Sequence, residues 1–310
     1  MIWYVIKRIA LALGLLFFIS LVTFFILAVI PGDPVGEMLG EFADAQKVIE
    51  VRKQLGLDAP VTIQYLRWVT ALLQGNLGKS FFQNKSVAGL IAQAFHHTAF
   101  IALWTYLIAL LLGISLGMTS ALKRGTAIDR ILMTASVFGI SMPSFWVAIL
   151  LQIYIGLKFH VLPVSGISSP SGYILPCLAL GTRYAASISR ITRTSVLEVI
   201  GQDFIKTAYA KGLHRPRIIM VHIFRNAMIP IITISGTEIG NLLTGSMITE
   251  NVFNIPGVGK LLIDAIYRRD IPLVQGTVMY VATVCVIIYF IVDILYAVIN
   301  PNIRLSSVEA

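Results

Sequence analysis

Residues 131–157, ILMTASVFGISMPSFWVAILLQIYIGL, run for 27 positions without a charged side chain. A helix of about 20 apolar residues crosses the hydrocarbon core of a bilayer, so this stretch is long enough to span one. It is not alone: residues 9–30 give 22 uncharged positions and residues 99–122 give 24. Residues 271–292 form another such run, which continues past Asp293 to Ile299. Composition agrees, with 57% hydrophobic and only 13% charged residues, against about a quarter charged in soluble domains.

Two further spans carry one charge each. Residues 173–189 are apolar except for Arg183, and residues 227–249 are interrupted only by Glu238. The expectation is an all-α polytopic membrane protein with six transmembrane helices. The alternating segments of about ten residues that mark a membrane β-barrel are missing from the sequence. Lys7 and Arg8 precede the first apolar run as in a secretory signal, but the run is too long and IPGDP, not a small-residue cleavage site, follows it. It reads as an uncleaved span. Cys177 and Cys285 both fall within spans and read as small core residues.

Six spans place both termini on one side, and the Lys and Arg distribution predicts that side to be cytoplasmic. The inner segments then hold thirteen basic residues, including all of LKRGTAIDR at 122–130, and the outer segments hold ten over a longer length. The net charge of +9 is thus a topology signal, and with no basic soluble domain a nucleic-acid partner is not expected. The division that follows is a cytoplasmic N-terminus and first span at 1–30, an extracytoplasmic region at 31–97, a five-span core at 98–300, and a cytoplasmic tail at 301–310. The first outer region is expected to hold amphipathic helices around 43–55 and 62–73. A second outer element at 250–275 carries a Pro-Gly turn and a short helix.

The inner face has one large element, GQDFIKTAYAKGLHRPRIIMVHIFRNAMIP at 201–230. On a helix from Asp203 to Lys211, Phe204, Ile205, Ala208 and Tyr209 share one side, while Asp203, Lys206, Thr207 and Ala210 share the other. Gly212 is the residue type that ends a helix in a left-handed conformation, and Arg215-Pro216 suits the start of the next. Two readings apply. A basic juxtamembrane loop touching anionic lipid is one. The other is a docking element, whose small residues Thr207, Ala208, Ala210 and Gly212 let another protein approach the backbone.

The stretch TAYAKGL at 207–213 resembles the EAA-type cytoplasmic loop of bacterial ABC importer permeases, in the dipeptide, oligopeptide and nickel branch. Members of that branch read like RTARAKGL followed by RNALLP; this chain has KTAYAKGL and then RNAMIP. Lys206-Thr207-Ala208 replaces the Glu-Ala-Ala of the general pattern, and the gap from Gly212 to Pro230 is longer than in sugar importers. Both departures are features of the peptide and nickel branch. IPGDP, QLGLDAPVTIQYLRW, GNLGKSF, GISMPSFW, TENVFNIPGVGKLL, RRDIPLVQG and NPNIR are similar to the branch's text in the same order along the chain. The long first outer region resembles the first of the two permease subunits.

The resemblance implies an ABC importer type I permease fold in the bacterial inner membrane. It implies a path formed with a second, homologous permease subunit, and two cytoplasmic ATPases that consume ATP and Mg. It also implies an extracytoplasmic binding protein that delivers di- or oligopeptides, with nickel or a nickel chelate as the alternative cargo. This chain itself is expected to bind no cofactor or metal and to have no catalytic residue. The EAA-like coupling loop, about 190–228, would dock an ATPase through Phe204, Thr207, Ala208, Lys211, Gly212 and Leu213.

Other motifs weigh less. Gly78-Lys79-Ser80 echoes the end of a phosphate-binding loop, but Leu73 stands where its first glycine is needed. GVGKLL at 257–262 lacks the Ser or Thr after Lys. His96-His97 has no nearby third ligand, and adjacent histidines on a helix point to different faces; a role at helix entry fits better than a metal-using membrane enzyme. Ionisable groups at membrane depth are costly and mark either pairing or a path. Glu238 reads as an internal partner of Arg183 or as a polar wall of a path, and Asp293 as structural. If the chain were a stand-alone secondary transporter, these three would handle ions. Ser141-Met142-Pro143 interrupts the third span, since proline removes a helix hydrogen bond, and is the candidate gate.

Overall fold

The computed structural model of the chain describes residues 2–29, 34–40 and 44–299. The expectations placed on residues 30–33 of the IPGDP turn, on NPNIR and on the tail at 301–310 lie outside the described residues. The regular elements are helices, in the order α1 (Ile2–Val29), α2 (Pro34–Leu39), α3 (Ala45–Gln54), α4 (Val61–Leu73), α5 (Val87–Leu122), α6 (Ala127–Ser141) and α7 (Ser144–Leu151). There follow α8 (Ile174–Ile200), α9 (Asp203–Ala210), α10 (Arg215–Arg217), α11 (Arg225–Val252), α12 (Val258–Tyr267) and α13 (Ile271–Ile299). Wider π-helical turns extend α7 through Gln152–Lys158 and join α10 to α11 through Ile218–Phe224.

Among the described residues four helices are long and apolar enough to cross a membrane, covering Val5–Val29, Val87–Leu122, Arg215–Leu243 and Ile271–Ile294. A fifth crossing arises if α6 and α7 count as one broken span. The count of six is not reached on length and composition. The shortfall is α8, whose 27 residues are long enough but include Arg183, Arg190, Arg193 and Glu198. Two boundaries also move. The second span begins as early as Val87, inside the region assigned to the first outer loop, and the fifth begins at Arg215, so the second helix of the basic loop is continuous with the span. Pro230 sits inside α11 without ending it.

The uncharged run at 131–157 breaks where its proline predicts. α6 stops at Ser141, α7 starts at Ser144, and the two are bent by 102°. Pro143 cannot donate to the carbonyl of Gly139, and the residue before a proline is pushed out of the helical region; Met142 accordingly has ψ 129°.

The chain forms two compact units, one from Met1–His97 with Pro256–Phe290 and the other from Thr98–Ile255 with Ile291–Ala310. In the second unit α8 is the hub. Fourteen of its residues are buried, against α6, α7 and α11 among others. Close approach on its α5 side depends on Gly113 and Gly117, spaced four apart as in small-residue membrane helix contacts. A Cβ on Gly117 would stand 2.4 Å from the Ser189 carbonyl oxygen, and one on Gly113 would stand 2.7 Å from Ile188 Cβ. Gln152 closes the unit by donating its amide to the carbonyls of Val164 and Val252 at 2.8 and 3.1 Å. Glu250, fully buried, accepts from the Thr98 hydroxyl at 2.7 Å.

In the first unit the aromatic rings of Phe24, Tyr65 and Trp68 pack α4 on α1, and the Tyr65 hydroxyl lies 3.0 Å from Ser20 Oγ. Ser80 is buried and hydrogen-bonded to Asp270, which also accepts from the Phe81 amide at 3.1 Å. Gly78-Lys79-Ser80 is therefore structural, with Lys79 in an isolated antiparallel bridge to Ser86 that closes around the turn at 81–83. GVGKLL is the start of α12, so the short helix expected within 250–275 is present, while the hydrogen-bonded turn falls at Phe253 and Asn254, ahead of Pro256-Gly257.

Candidate functional site

The basic loop folds as the sequence pattern predicts: α9 covers Asp203–Ala210, and Gly212 follows with φ of +73°. Its amide donates to the Tyr209 carbonyl at 2.9 Å, and the Leu213 amide donates to that of Ala208 at 3.3 Å. These two bonds make a Schellman cap, which requires a left-handed residue at the glycine position. Nothing lies within 4 Å of a Cβ built on Gly212, so backbone conformation, not crowding, selects glycine there.

The six residues expected to dock a partner separate into two groups. Phe204, Thr207, Lys211 and Gly212 are exposed. Ala208 is not: it is 5% exposed and packs with Ile205, at 2%, into the core that holds Val196, Ile218 and Ile223. Leu213 is half-buried against the same core. The reason is the three-residue step from Ile205 to Ala208, which puts both on the inward face of α9. The small size of Ala208 thus serves the seating of α9 on the chain itself. The exposed pair Lys206–Asp203, at 2.8 Å, contributes little at such exposure.

The candidate path residues gather around α8. Arg183 is exposed, and one turn further along the same face is Ser187, whose hydroxyl donates to Glu238 Oε1 at 3.1 Å. The other Glu238 oxygen accepts from the Asn241 amide at 3.1 Å. Among the described residues no ion pair joins Arg183 to Glu238, so the internal pair is not formed. Its oxygens are held by a hydroxyl and an amide instead. The half-exposed and exposed positions of α8 continue with Arg190 and Thr194, giving a polar stripe at Arg183, Ser187, Arg190 and Thr194 along a helix that is otherwise largely buried. The stripe was legible as polar residues at steps of four, three and four, but only once the segment is known to be one long helix. The break at Ser141-Met142-Pro143 adjoins the same helix: a Cβ on Gly139 would lie 3.0 Å from Ala186 Cβ.

Beside the stripe on α8, Arg193 makes a two-point ion pair with Asp129, Nε to Oδ1 at 2.8 Å and Nη2 to Oδ2 at 2.9 Å. Ser120 Oγ and the Gly125 amide also donate to Asp129. Sequence reading assigned Asp129 and Arg193 no role, because 64 residues separate them and only the packing of α6 on α8 joins them.

The assembled features are a helical hub with a polar face, a broken span beside it and a capped helix on a basic loop. A family description matches this combination over two segments. The pattern of the binding-protein-dependent transport system inner membrane component matches residues 109–305, and its N-terminal counterpart matches residues 1–102. The chain belongs to this family. It is a permease component of an ABC importer, not catalytic by itself, and it works with other components of such a system.

Relatives support the same placement over nearly the whole permease. It is 39% identical to the di/tripeptide transport system permease protein DppB of Pseudomonas aeruginosa (strain UCBPP-PA14), covering 98% of this chain and 99% of that one. It is 39% identical to the glutathione transport system permease protein GsiC of Escherichia coli (strain K12), covering 97% and 98%. Among solved structures, an inward-facing form of the MetNI methionine ABC transporter matches with a TM-score of 0.59 at 14% identity, over 68% of this chain and 96% of that chain. An amino acid ABC transporter with histidines matches with a TM-score of 0.53 at 15% identity, over 67% and 94%. At such identity these two show the fold of the permease and nothing finer.

The histidine pair of the permease, His96 and His97, sits inside α5 with ring centroids 5.5 Å apart. Among the described residues no group of three or more His, Cys, Asp and Glu is placed to hold a metal ion.

Proposed function

We propose that this permease is the first of two homologous subunits that form the path of an importer for di- and oligopeptides. The observation that carries the reading is identity of 39% over nearly full length to a permease named for di- and tripeptides. Two cytoplasmic ATPase subunits hydrolyse ATP with Mg, an extracytoplasmic binding protein delivers the peptide, and this chain binds neither nucleotide nor metal. Both termini lie in the cytoplasm of a bacterium whose inner membrane holds the complex, a reading supported by the excess of Lys and Arg in the short loops.

The exposed side of α9, with Phe204, Thr207, Lys211 and Gly212, is the surface that an ATPase grips. Ile205 and Ala208 anchor α9 to the core, so a displacement of α9 is carried into α8 and, through Ile218–Phe224, into α11. A nucleotide can shift the permease between states only by binding one of them better, and a rigid helix seated in a groove supplies that difference. The stripe of Arg183, Ser187, Arg190 and Thr194, together with Glu238, lines the path. The break at Ser141–Pro143 shapes its gate.

The test is uptake into liposomes holding the assembled complex, with the binding protein outside and ATP inside with the ATPases. Expected is accumulation of a labelled dipeptide or oligopeptide that requires every component and ATP. Uptake by this chain alone under an ion gradient would overturn the reading in favour of a secondary transporter. Uptake of a nickel chelate with no peptide transport would overturn the assigned cargo.

A further inference from the structure

A cavity of about 700 Å³ opens in the unit formed by Met1–His97 and Pro256–Phe290. That volume falls within the range of small-molecule sites. Phe24 and Trp68 contribute apolar wall, and Arg67 and Lys79 bring positive charge. Among the described residues no acidic side chain lines it, and neither cation has an ion-pair partner. Gln275 also lines the cavity. It is only 5% exposed, yet its amide makes no hydrogen bond among the described residues. A polar amide in a mainly apolar lining is a position for a ligand hydrogen bond.

The position of the cavity limits what that ligand is. Phe24 lies five residues before the end of the apolar span Val5–Val29, about 8 Å along the helix. Pro272 and Gln275 are in the first turns of the span that starts at Ile271. The cavity therefore stands where the apolar ends of two spans meet the head-group layer. Beside it α4 keeps Val61, Ile63 and Leu66 exposed, as does a helix lying in a membrane interface. A cavity whose lining combines an apolar wall, two cations and an amide, at the ends of two apolar spans, matches one molecule.

We propose that this cavity binds an anionic phospholipid. The phosphate sits between Arg67 and Lys79, the glycerol ester region bonds to Gln275, and an acyl chain lies along Phe24 and Trp68. The proposal needs only that the chain resides in a membrane, and it stands whatever the importer carries.

The experiment uses the complete transporter in neutral detergent, titrated with phosphatidylglycerol bearing brominated acyl chains, which quench nearby tryptophan. Saturable quenching is expected, with Trp68→Phe removing most of it and brominated phosphatidylcholine producing little. Arg67→Gln with Lys79→Gln should weaken the apparent affinity by roughly tenfold or more, at about fivefold for each basic residue facing an anionic lipid. Both side chains are exposed, so the fold is not at risk. Gln275→Leu should weaken it several-fold with the charges intact. Unchanged affinity in the double variant, or equal binding of phosphatidylcholine, would overturn the proposal. So would release of the lipid by a soluble peptide, which would mark the cavity as a peptide site.

Discussion

The Ser187 hydroxyl donates to Glu238 at 3.1 Å, linking α8 to α11 one turn from the exposed Arg183. This contact separates two roles for Glu238. Glu238→Gln keeps an oxygen for Ser187, so thermal inactivation of the complex should hardly move, within about 1 kcal/mol. If Glu238 lines the path, peptide uptake should still fall several-fold, since a charge has left the wall. Glu238→Leu removes the acceptor of both Ser187 and Asn241 and should destabilise by about 1–3 kcal/mol. Uptake by Glu238→Gln at the wild-type rate would remove Glu238 from the path.

The two-point pair of Arg193 with Asp129 should be the stronger tie. Its Asp129 side chain is 6% exposed and its Arg193 side chain 25%, which places it between surface and buried pairs. Arg193→Gln leaves Asp129 with Ser120 and Gly125 as donors and should cost about 2 kcal/mol. Asp129→Ala strips the acceptor from all three donors at once and should cost more, about 3 kcal/mol. The check is the order of the two variants in heat or detergent inactivation of the assembled complex. The reverse order would mean that Arg193, not Asp129, is the centre of the cluster.

Glycine packing gives a contrast within one fold. A Cβ at Gly117 meets the Ser189 backbone at 2.4 Å, whereas nothing lies within 4 Å of one at Gly14. Gly117→Ala must push α5 away from α8 and should cost about 1–3 kcal/mol. Gly14→Ala should be neutral or slightly stabilising, by up to about 1 kcal/mol, through helix propensity alone. Yield and stability of the purified complex separate them, and equal behaviour would deny the close crossing.

These residues also mark how far the sequence can be read. Uncharged runs located α1, α5, the α6–α7 pair and α13, because length and hydropathy are local properties. The Pro143 break and the Gly212 cap were legible for the same reason, each being dictated by one residue type. The hub α8 was harder. It carries Arg183, Arg190, Arg193 and Glu198, and its burial comes from helices distant in sequence. Ala208 shows the limit most plainly: its small size read as room for a partner, while the fold uses it to seat α9 on its own core. Asp129 meeting Arg193 and Ser187 meeting Glu238 are tertiary facts with no local signature.

The docking surface proposed on α9 yields the sharpest test, because the side chains of Phe204, Thr207 and Lys211 are exposed. Phe204 is 45% exposed, so Phe204→Ala should leave the amount and stability of the complex nearly unchanged. A well-seated aromatic anchor at an interface is worth about 2 kcal/mol or more, so substrate-stimulated ATP hydrolysis should fall by tenfold or more. Gly212 separates shape from contact. With φ of +73° and no neighbour within 4 Å, Gly212→Ala should cost about 1–2 kcal/mol from backbone strain alone. Gly212→Asn tolerates the left-handed region and should retain most coupling, whereas Gly212→Val should retain least. Ala208→Trp is the control: it should damage folding and yield, since Ala208 faces the core, and so report on seating and not docking. Coupled transport at the wild-type rate in Phe204→Ala and Gly212→Val together would mean that the ATPases take hold of the permease somewhere other than α9.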